Sequence, residues 1–336
     1  MLTSVMAARD WSQQIQDHPD DSQWLSRQED TLYPVIQSSL YKPPAFHDAV
    51  ELLMRVFPHY ALVLFHVKRW SPLLLQALVQ AQDLRDNEIQ IRILTHIGEA
   101  YQTLDKNEAA YEAFQIALAR AGEGQFKAMM LAAYIGLIRM QSVSMGDEYD
   151  PNLLTQALVL SHEIDDLALK AALHQSLSLA NIHTRETVAA IEHGQIAYVY
   201  WHYLKNDLER AKTLYLLSAA YRFMWRLKQA EELLQKAAEG FENTSYNRQY
   251  TFLAYEAGAL YLQRKEYEAA TQWLMMALRE ASNIDYTALI ISSQHGLGIA
   301  QTGLGQFDEA EANLQHAING WQTIKNYRNY ILDKPI

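Results

Sequence analysis

The feature that most constrains this chain is a repeat. Leu177-Ser178, Leu217-Ser218, Ala257-Gly258 and Leu297-Gly298 recur at a spacing of 40 residues, and each pair is followed 13 residues later by alanine (Ala190, Ala230, Ala270, Ala310). Seven positions further on, alanine returns as Ala197, Ala237, Ala277 and Ala317, with Gly194, Leu234, Leu274 and Leu314 between. An earlier copy, Ile97-Gly98, Tyr101, Ala110, Phe114 and Ala117, lies 80 residues before the unit of Leu177, which is two periods. A unit of this size cannot bury its own apolar face, so consecutive units must stack.

Helix is the only element that suits the pattern. Six of the eight prolines (Pro19, Pro34, Pro43, Pro44, Pro58, Pro72) fall in the first 72 residues, which leaves the rest almost free of helix breakers. The large–small pair and the tyrosine after it (Ile97, Gly98, Tyr101; Leu217, Ser218, Tyr221; Ala257, Gly258, Tyr261) share one face of a first helix. The small residue admits a second helix at close range. Turn segments such as Leu104-Asp105-Lys106-Asn107, Arg264-Lys265-Glu266 and Leu304-Gly305-Gln306 separate the two. The alanine, large apolar, alanine stripe of the second helix then packs back on the first.

Leu94-x-x-Ile97-Gly98-x-x-Tyr101 followed by Ala110-x-x-x-Phe114-x-x-Ala117 resembles the tetratricopeptide repeat (TPR), and Ala257-Gly258-x-x-Tyr261 with Ala270-x-x-x-Leu274-x-x-Ala277 resembles it nearly as well. The consensus of about 34 residues is stretched, as in the long-repeat TPR arrays of bacterial signalling proteins. The resemblance implies an all-α, right-handed superhelical solenoid of about seven to eight antiparallel hairpins. Residues 48–336 form the array, with clear repeats from about 91 to 324, and residues 1–47 read as an atypical helical N-terminal cap. The chain departs from the pattern at three points. The repeat-ending proline is absent, Gly194 replaces a large residue, and the unit from Met129 to Lys170 carries an extended loop, Ser142 to Pro151. Leu74 and Ala77 sit at second-helix positions of a further hairpin, Asp48 to Arg85.

Composition removes whole classes of chemistry. Without cysteine there is no disulfide framework, thiolate zinc site or cysteine nucleophile. A net charge of −11 argues against nucleic acid as a direct partner. The opening residues, Met1 to Asp10, lack a basic segment followed by an apolar core, and the longest apolar run, Tyr60 to Phe65, is too short for a bilayer, so the expected place is the cytoplasm and no membrane. Twelve histidines invite a metal, but none falls in H-E-x-x-H, and His174, His183, His193 and His202 have no ligand at metal spacing. His295-Gly296-Leu297-Gly298 and Gly303-Leu304-Gly305 imitate a nucleotide loop, yet the repeat assigns them to a packing position and a turn. Acidic runs at Asp20-Asp21, Gly146-Asp147-Glu148, Glu163-Ile164-Asp165-Asp166 and Glu231-Glu232 lack the ligand alternation of a calcium loop. No metal, no cofactor and no catalytic residues are expected.

The family geometry implies a concave face lined by residues two before, two after and five after each large–small pair. Applied here it gives Thr95, Glu99 and Gln102; Gln175, Leu179 and Ile182; Tyr215, Ala219 and Arg222; Tyr255, Ala259 and Leu262; and His295, Ile299 and Thr302. Arg92, Lys212 and Arg222 add cations suited to a peptide carboxylate. The mixed lining, together with 20 tyrosines and 7 tryptophans, fits a peptide groove, hence a non-catalytic protein- or peptide-binding scaffold in bacterial signalling or regulation. The alternative is a ligand-sensing regulatory domain of a larger protein, of the transcription-regulator or diguanylate-cyclase type, or a peptide-pheromone receptor. An enzyme built on helical repeats is the third reading. Homodimerisation is expected through Trp24, Leu32, Tyr33 and Tyr41 of the N-terminal segment.

Overall fold

The computed structural model describes residues 2–17, 22–63, 66–143, 151–242 and 247–332. Among these, all regular structure is helical and no strand occurs. The chain divides into two compact units, Met1–Asp207 and Leu208–Ile336.

Unit 1 begins with α1 (Leu2–Asp17), α2 (Ser22–Arg27) and α3 (Glu29–Leu40), then a 3-10 turn (Pro43–Ala45) and α4 (Phe46–Phe57). A π-helical segment (Pro58–Val63) leads to α5 (Val67–Asp83). Then come α6 (Asn87–Thr103), α7 (Asn107–Glu123), α8 (Lys127–Val143), α9 (Pro151–Ser161), α10 (Leu167–His183) and α11 (Thr187–Tyr203). Unit 2 holds α12 (Asp207–Phe223), α13 (Leu227–Glu242), α14 (Asn247–Gln263), α15 (Tyr267–Asn283), α16 (Thr287–Gly303) and α17 (Phe307–Leu332). From α5 to α11 and from α13 to α17, helices adjacent in sequence pack on one another, Ser218 Oγ ties α12 to α13, and alternate helices touch as well, α6 with α8 and α14 with α16. The TPR-like arrangement expected from the repeat is present.

The 40-residue period has a local cause. Ten of the helices from α5 to α16 are 17 residues long. Three-residue turns join most of them, so 17 + 3 gives 20 and a hairpin gives 40. Each such turn holds its middle residue at positive φ: Arg85, Asp105, Gln125, Arg185, Lys205, Trp225, Lys265, Asp285 and Gly305, all at multiples of 20 from the first. Left-handed backbone there closes the helix by folding the next amides onto its last carbonyls. Lys106 N, for example, bonds Tyr101 O at 2.9 Å, and Glu266 N bonds Tyr261 O at 3.0 Å. Two helix starts are sealed by aspartate, Asp86 accepting from Ile89 N and Asp166 from Ala168 N and Leu169 N. The expected loop from Ser142 is shorter at its start, because α8 runs to Val143; residues 144–150 lie outside the described residues.

The small residue of each pair works in two ways. A methyl group added to Gly98 would lie 2.6 Å from the Phe114 ring, and one on Gly258 would lie 2.5 Å from Leu274. Where serine takes the place, its hydroxyl donates to the partner helix: Ser178 Oγ to Ala190 O at 2.7 Å and Ser218 Oγ to Ala230 O at 2.8 Å. Phe114 is also wedged against Gly136 of the following hairpin, 2.4 Å from where its Cβ would be. Leu274 meets Gly296 in the same register, 160 residues on, at 2.9 Å.

Residues 8–113 share one hydrophobic core, so the N-terminal helices and the first hairpins are not separate bodies. Glu29 is buried there and accepts Trp70 Nε1–H and a bond from His66 Nδ1, both at 2.7 Å. Tyr60, in the π-helical segment, stacks on Trp70 at 4.6 Å and donates to Leu25 O at 2.5 Å. Leu32 is wholly buried, Tyr33 meets Trp70 edge-on, and Trp24 packs against Trp11. Of the four side chains expected at a dimer interface, Leu32 is buried in this core, Trp24 and Tyr33 are half-buried against it, and Tyr41 is exposed.

Candidate functional site

In unit 2, α12, α14 and α16 bring six of the expected groove positions to one open cavity of about 300 Å³: Arg222, Tyr255, Ala259, Leu262, His295 and Ile299. Gln263, Leu274, Ser292 and Gly296 complete its lining. Tyr255, Ala259 and Leu262 share one face of α14 because they are four and three apart, and Ser292, His295, Gly296 and Ile299 do so on α16. Leu274 rises from α15 between them. The four additional positions escaped the position-by-position transfer because it considers first helices only at fixed offsets. Gly296 was nonetheless visible in the sequence, as a residue without a side chain where the neighbouring unit has Glu256.

One charged element lies at the cavity. Arg222 donates from Nε to Glu256 Oε1 at 2.6 Å and from Nη2 to Oε2 at 3.0 Å, with side-chain exposures of 12% and 4%. Burial raises the Glu256 carboxyl above its ordinary value although Arg222 pulls it down. Burial alone would lower the Arg222 pKa, but Glu256 outweighs it and the guanidinium stays charged. Gln263 Nε2 also donates to Arg222 O at 3.2 Å. Tyr215 lies beside the pair, with its ring 6.3 Å from Phe252; burial first, then Glu256, pushes its hydroxyl pKa above the usual tyrosine value. Thr302, exposed on α16, bonds Gly298 O of its own helix.

The cations expected to receive a carboxylate already have one. Arg222 holds Glu256, Arg92 holds both oxygens of Glu51, and Lys212 holds Glu209 at 2.7 Å. Each of these charges therefore has an acidic partner within the chain, and an internal partner loses no association entropy.

The unit 1 candidates do not gather in the same way. Gln175 and Ile182 are buried, Leu179 is half-buried, and Thr95 Oγ1 bonds Ile91 O. Glu99 accepts from His96 Nδ1 at 2.8 Å and lies 3.8 Å from Arg139, which donates to Ser176 Oγ. Gln102 is half-buried one turn further along. A second cavity of about 260 Å³ sits elsewhere, between α8 and α9, lined by Met130, Tyr134, Gln156, Val159 and Leu160 among others.

The histidines behave differently from their sequence spacing. His174 and His193, 19 residues apart, bring their Nδ1 atoms to 2.9 Å. Burial lowers the pKa of both, His174 to about 4 with His193 assisting. Among the described residues no group of three metal-ligating side chains forms. Of the acidic runs, Glu163 pairs with Lys127 and Asp166 caps α10, while Glu231 takes Arg264. Asp20-Asp21 and Gly146-Asp147-Glu148 lie outside the described residues. His295 to Gly298 lie within α16, and Gly305 is a turn residue at φ 75°, so no phosphate-binding loop exists there.

No protein-family model and no curated protein sequence matches the chain. Its fold is similar to that of solved structures. One is a Rap protein complexed with Competence and Sporulation Factor, with 12% identity and a TM-score of 0.60, covering 97% of this chain and 99% of that one. Another is a signal transduction ATPase with numerous domains (STAND) carrying a tetratricopeptide repeat sensor, from Pyrococcus horikoshii, with 16% identity and a TM-score of 0.52. That match covers 90% of this chain and 48% of the Pyrococcus chain. At such identities the likeness shows the fold alone, and the fold is that of a TPR-like helical repeat.

Proposed function

We propose that this TPR-like chain is a non-catalytic protein- or peptide-binding scaffold that serves signalling or regulation, with its ligand held on the first-helix face of unit 2. The observation that carries this reading is the open cavity between α14 and α16, where side chains from three successive first helices converge. Its apolar floor of Ala259, Leu262, Leu274 and Ile299 faces a rim of Tyr255, Gln263, Ser292 and His295, which suits a chain that offers both side chains and amides. The Rap protein, solved with Competence and Sporulation Factor, supports an occupied fold of this kind.

A displayed library of random peptides panned against the whole chain tests the proposal. Selected peptides are expected to lose about tenfold or more in affinity on Ile299→Glu, which puts a charge at an exposed lining position. The melting temperature should not change, since Ile299 is 42% exposed. Undiminished binding would refute the placement, and a library that yields nothing would refute the peptide reading. The match to part of the Pyrococcus chain favours a second reading, a sensor segment that reports ligand to a further domain. A ligand-dependent change in the radius of gyration would support it.

A further inference from the structure

The tract Tyr198-Val199-Tyr200-Trp201-His202-Tyr203 lies in α11, the second helix of its hairpin, and has no part in the cavity of unit 2. Ala190, Gly194, Ala197 and Trp201 form the buried side of α11, where Ala197 and Trp201 pack on Ala171 of α10. On the opposite side Val188, Glu192, Ile196, Val199 and Tyr203 follow one another at spacings of four, four, three and four, which make one stripe of a helix. Val188, Val199 and Tyr203 are 60%, 63% and 73% exposed, and Ile196 is 39% exposed. Glu192 is the one acidic or basic residue, histidines apart, among the 17 of α11. The same register elsewhere in the array is polar. Val188 stands where α7, α13 and α15 have Glu108, Lys228 and Glu268; Val199 stands where α13 and α15 have Glu239 and Arg279; Tyr203 stands where α7 and α15 have Glu123 and Asn283. Straight-chain charged residues suit an exposed helix surface better than β-branched ones, which lose rotamer freedom there. The stripe thus gives up helix propensity and solubility and recovers little of either by packing within the chain. On α9, the second helix of the preceding hairpin, Val159 is 58% exposed at the register of Val199, and α9 holds no Lys, Arg, Asp or Glu.

We propose that this stripe pairs with the same stripe of a second copy of the chain across a two-fold axis, α11 lying antiparallel on α11. Two observations choose that occupant. The first is area: the four apolar side chains of the stripe expose roughly 500 Å², so a symmetric pair removes on the order of 1,000 Å² from water through them alone, which is the least a specific interface needs. The second is charge. The stripe has no cation for an acidic partner or an anionic lipid surface and a single carboxylate for a basic one, whereas a second copy offers an apolar stripe of equal length. With the axis between Gln195 and Ile196, Val188 faces Tyr203 of the second copy and Glu192 faces Val199. The two Glu192 carboxylates then stand about 10 Å apart along the helices, each free to turn to solvent. The inference does not depend on the ligand cavity of unit 2.

Sedimentation velocity of the full chain over a dilution series is expected to show monomer–dimer exchange with a Kd of about 1–100 μM, as suits an interface of this size. Val199→Glu sets a carboxylate against Glu192 of the second copy and is expected to weaken pairing about tenfold or more. Its circular dichroism at low concentration should match the wild type, since α13 carries Glu239 at this register. Val199→Glu combined with Glu192→Lys turns the repulsion into attraction and should restore pairing. The chain has no cysteine, so single cysteine substitutions report self-contact directly. Ile196→Cys, next to the axis, is expected to form a disulfide with its counterpart on mild oxidation, and Arg279→Cys, at an exposed position of α15, to cross-link far less. A wild-type chain that is monomeric throughout the series, a dimer untouched by Val199→Glu, or equal cross-linking of the two cysteine variants would overturn the inference. A dimer lost instead on Tyr41→Glu would overturn it as well and move the contact to the N-terminal helices. A double variant that pairs no better than Val199→Glu would overturn the antiparallel register.

Discussion

Replacing Lys265 by glycine should stabilise unit 2, and replacing Gly305 by alanine should destabilise it. Both residues occupy the middle of a three-residue turn at positive φ, 63° and 75°. For an L-residue this conformation costs roughly 1–2 kcal/mol, which glycine avoids. Glycine gives back part of the gain, about 0.5–1 kcal/mol, because it leaves a freer unfolded chain. Lys265→Gly is therefore expected to gain about 0.5–1 kcal/mol, and Gly305→Ala to lose a similar amount. Gly305 is the cleaner case, since an added methyl group there meets nothing within 4 Å and the whole effect comes from the backbone. Urea unfolding followed by circular dichroism, with both transitions fitted if the units separate, reads the shift. A destabilised Lys265→Gly, or an unchanged Gly305→Ala, would refute the idea that left-handed turns set the helix length.

Three further outcomes follow from the same structure. Arg222→Ala strands Glu256 in a buried position and should cost about 3–5 kcal/mol in urea unfolding, whereas Arg222→Ala with Glu256→Ala should recover part of it. Phe114→Ala empties a site shared by three helices and should cost about 3–5 kcal/mol by the same measurement. His59 is half-buried beside Ser26, and desolvation lowers its pKa to about 4 from an unfolded value of 6.5. Its contribution is present above pH 6.5 and is lost as pH falls towards 4, because the unfolded chain takes up the proton first. Stability should drop over that window by about 3 kcal/mol more in wild type than in His59→Gln.

The helices and their pairing were legible because the packing is local and periodic. Gly98, Phe114 and Ala110 declare themselves by spacing, and the 17-residue helices make that spacing repeat. The lining of the cavity was partly legible, since Tyr255, Leu262 and His295 follow from register alone. Leu274 was read as a core residue, which it is, and nothing in one sequence shows that it meets glycines of two successive first helices until those helices are placed. Charge partners were equally hidden. Arg222 and Glu256 lie 34 residues apart and Arg92 and Glu51 lie 41 apart, separations that become contacts only when neighbouring first helices are side by side. The N-terminal segment was less legible for a related reason: Leu32, Tyr33 and Trp24 are as apolar as an interface would require, and the sequence does not say that they pack on their own core.

Phe114 and Leu274 each sit between two glycines of successive first helices, so one large side chain sets the spacing of the helix before it and of the helix after it. A change of volume at either position is therefore felt by three helices at once, and an array built this way passes a local alteration to both neighbouring hairpins.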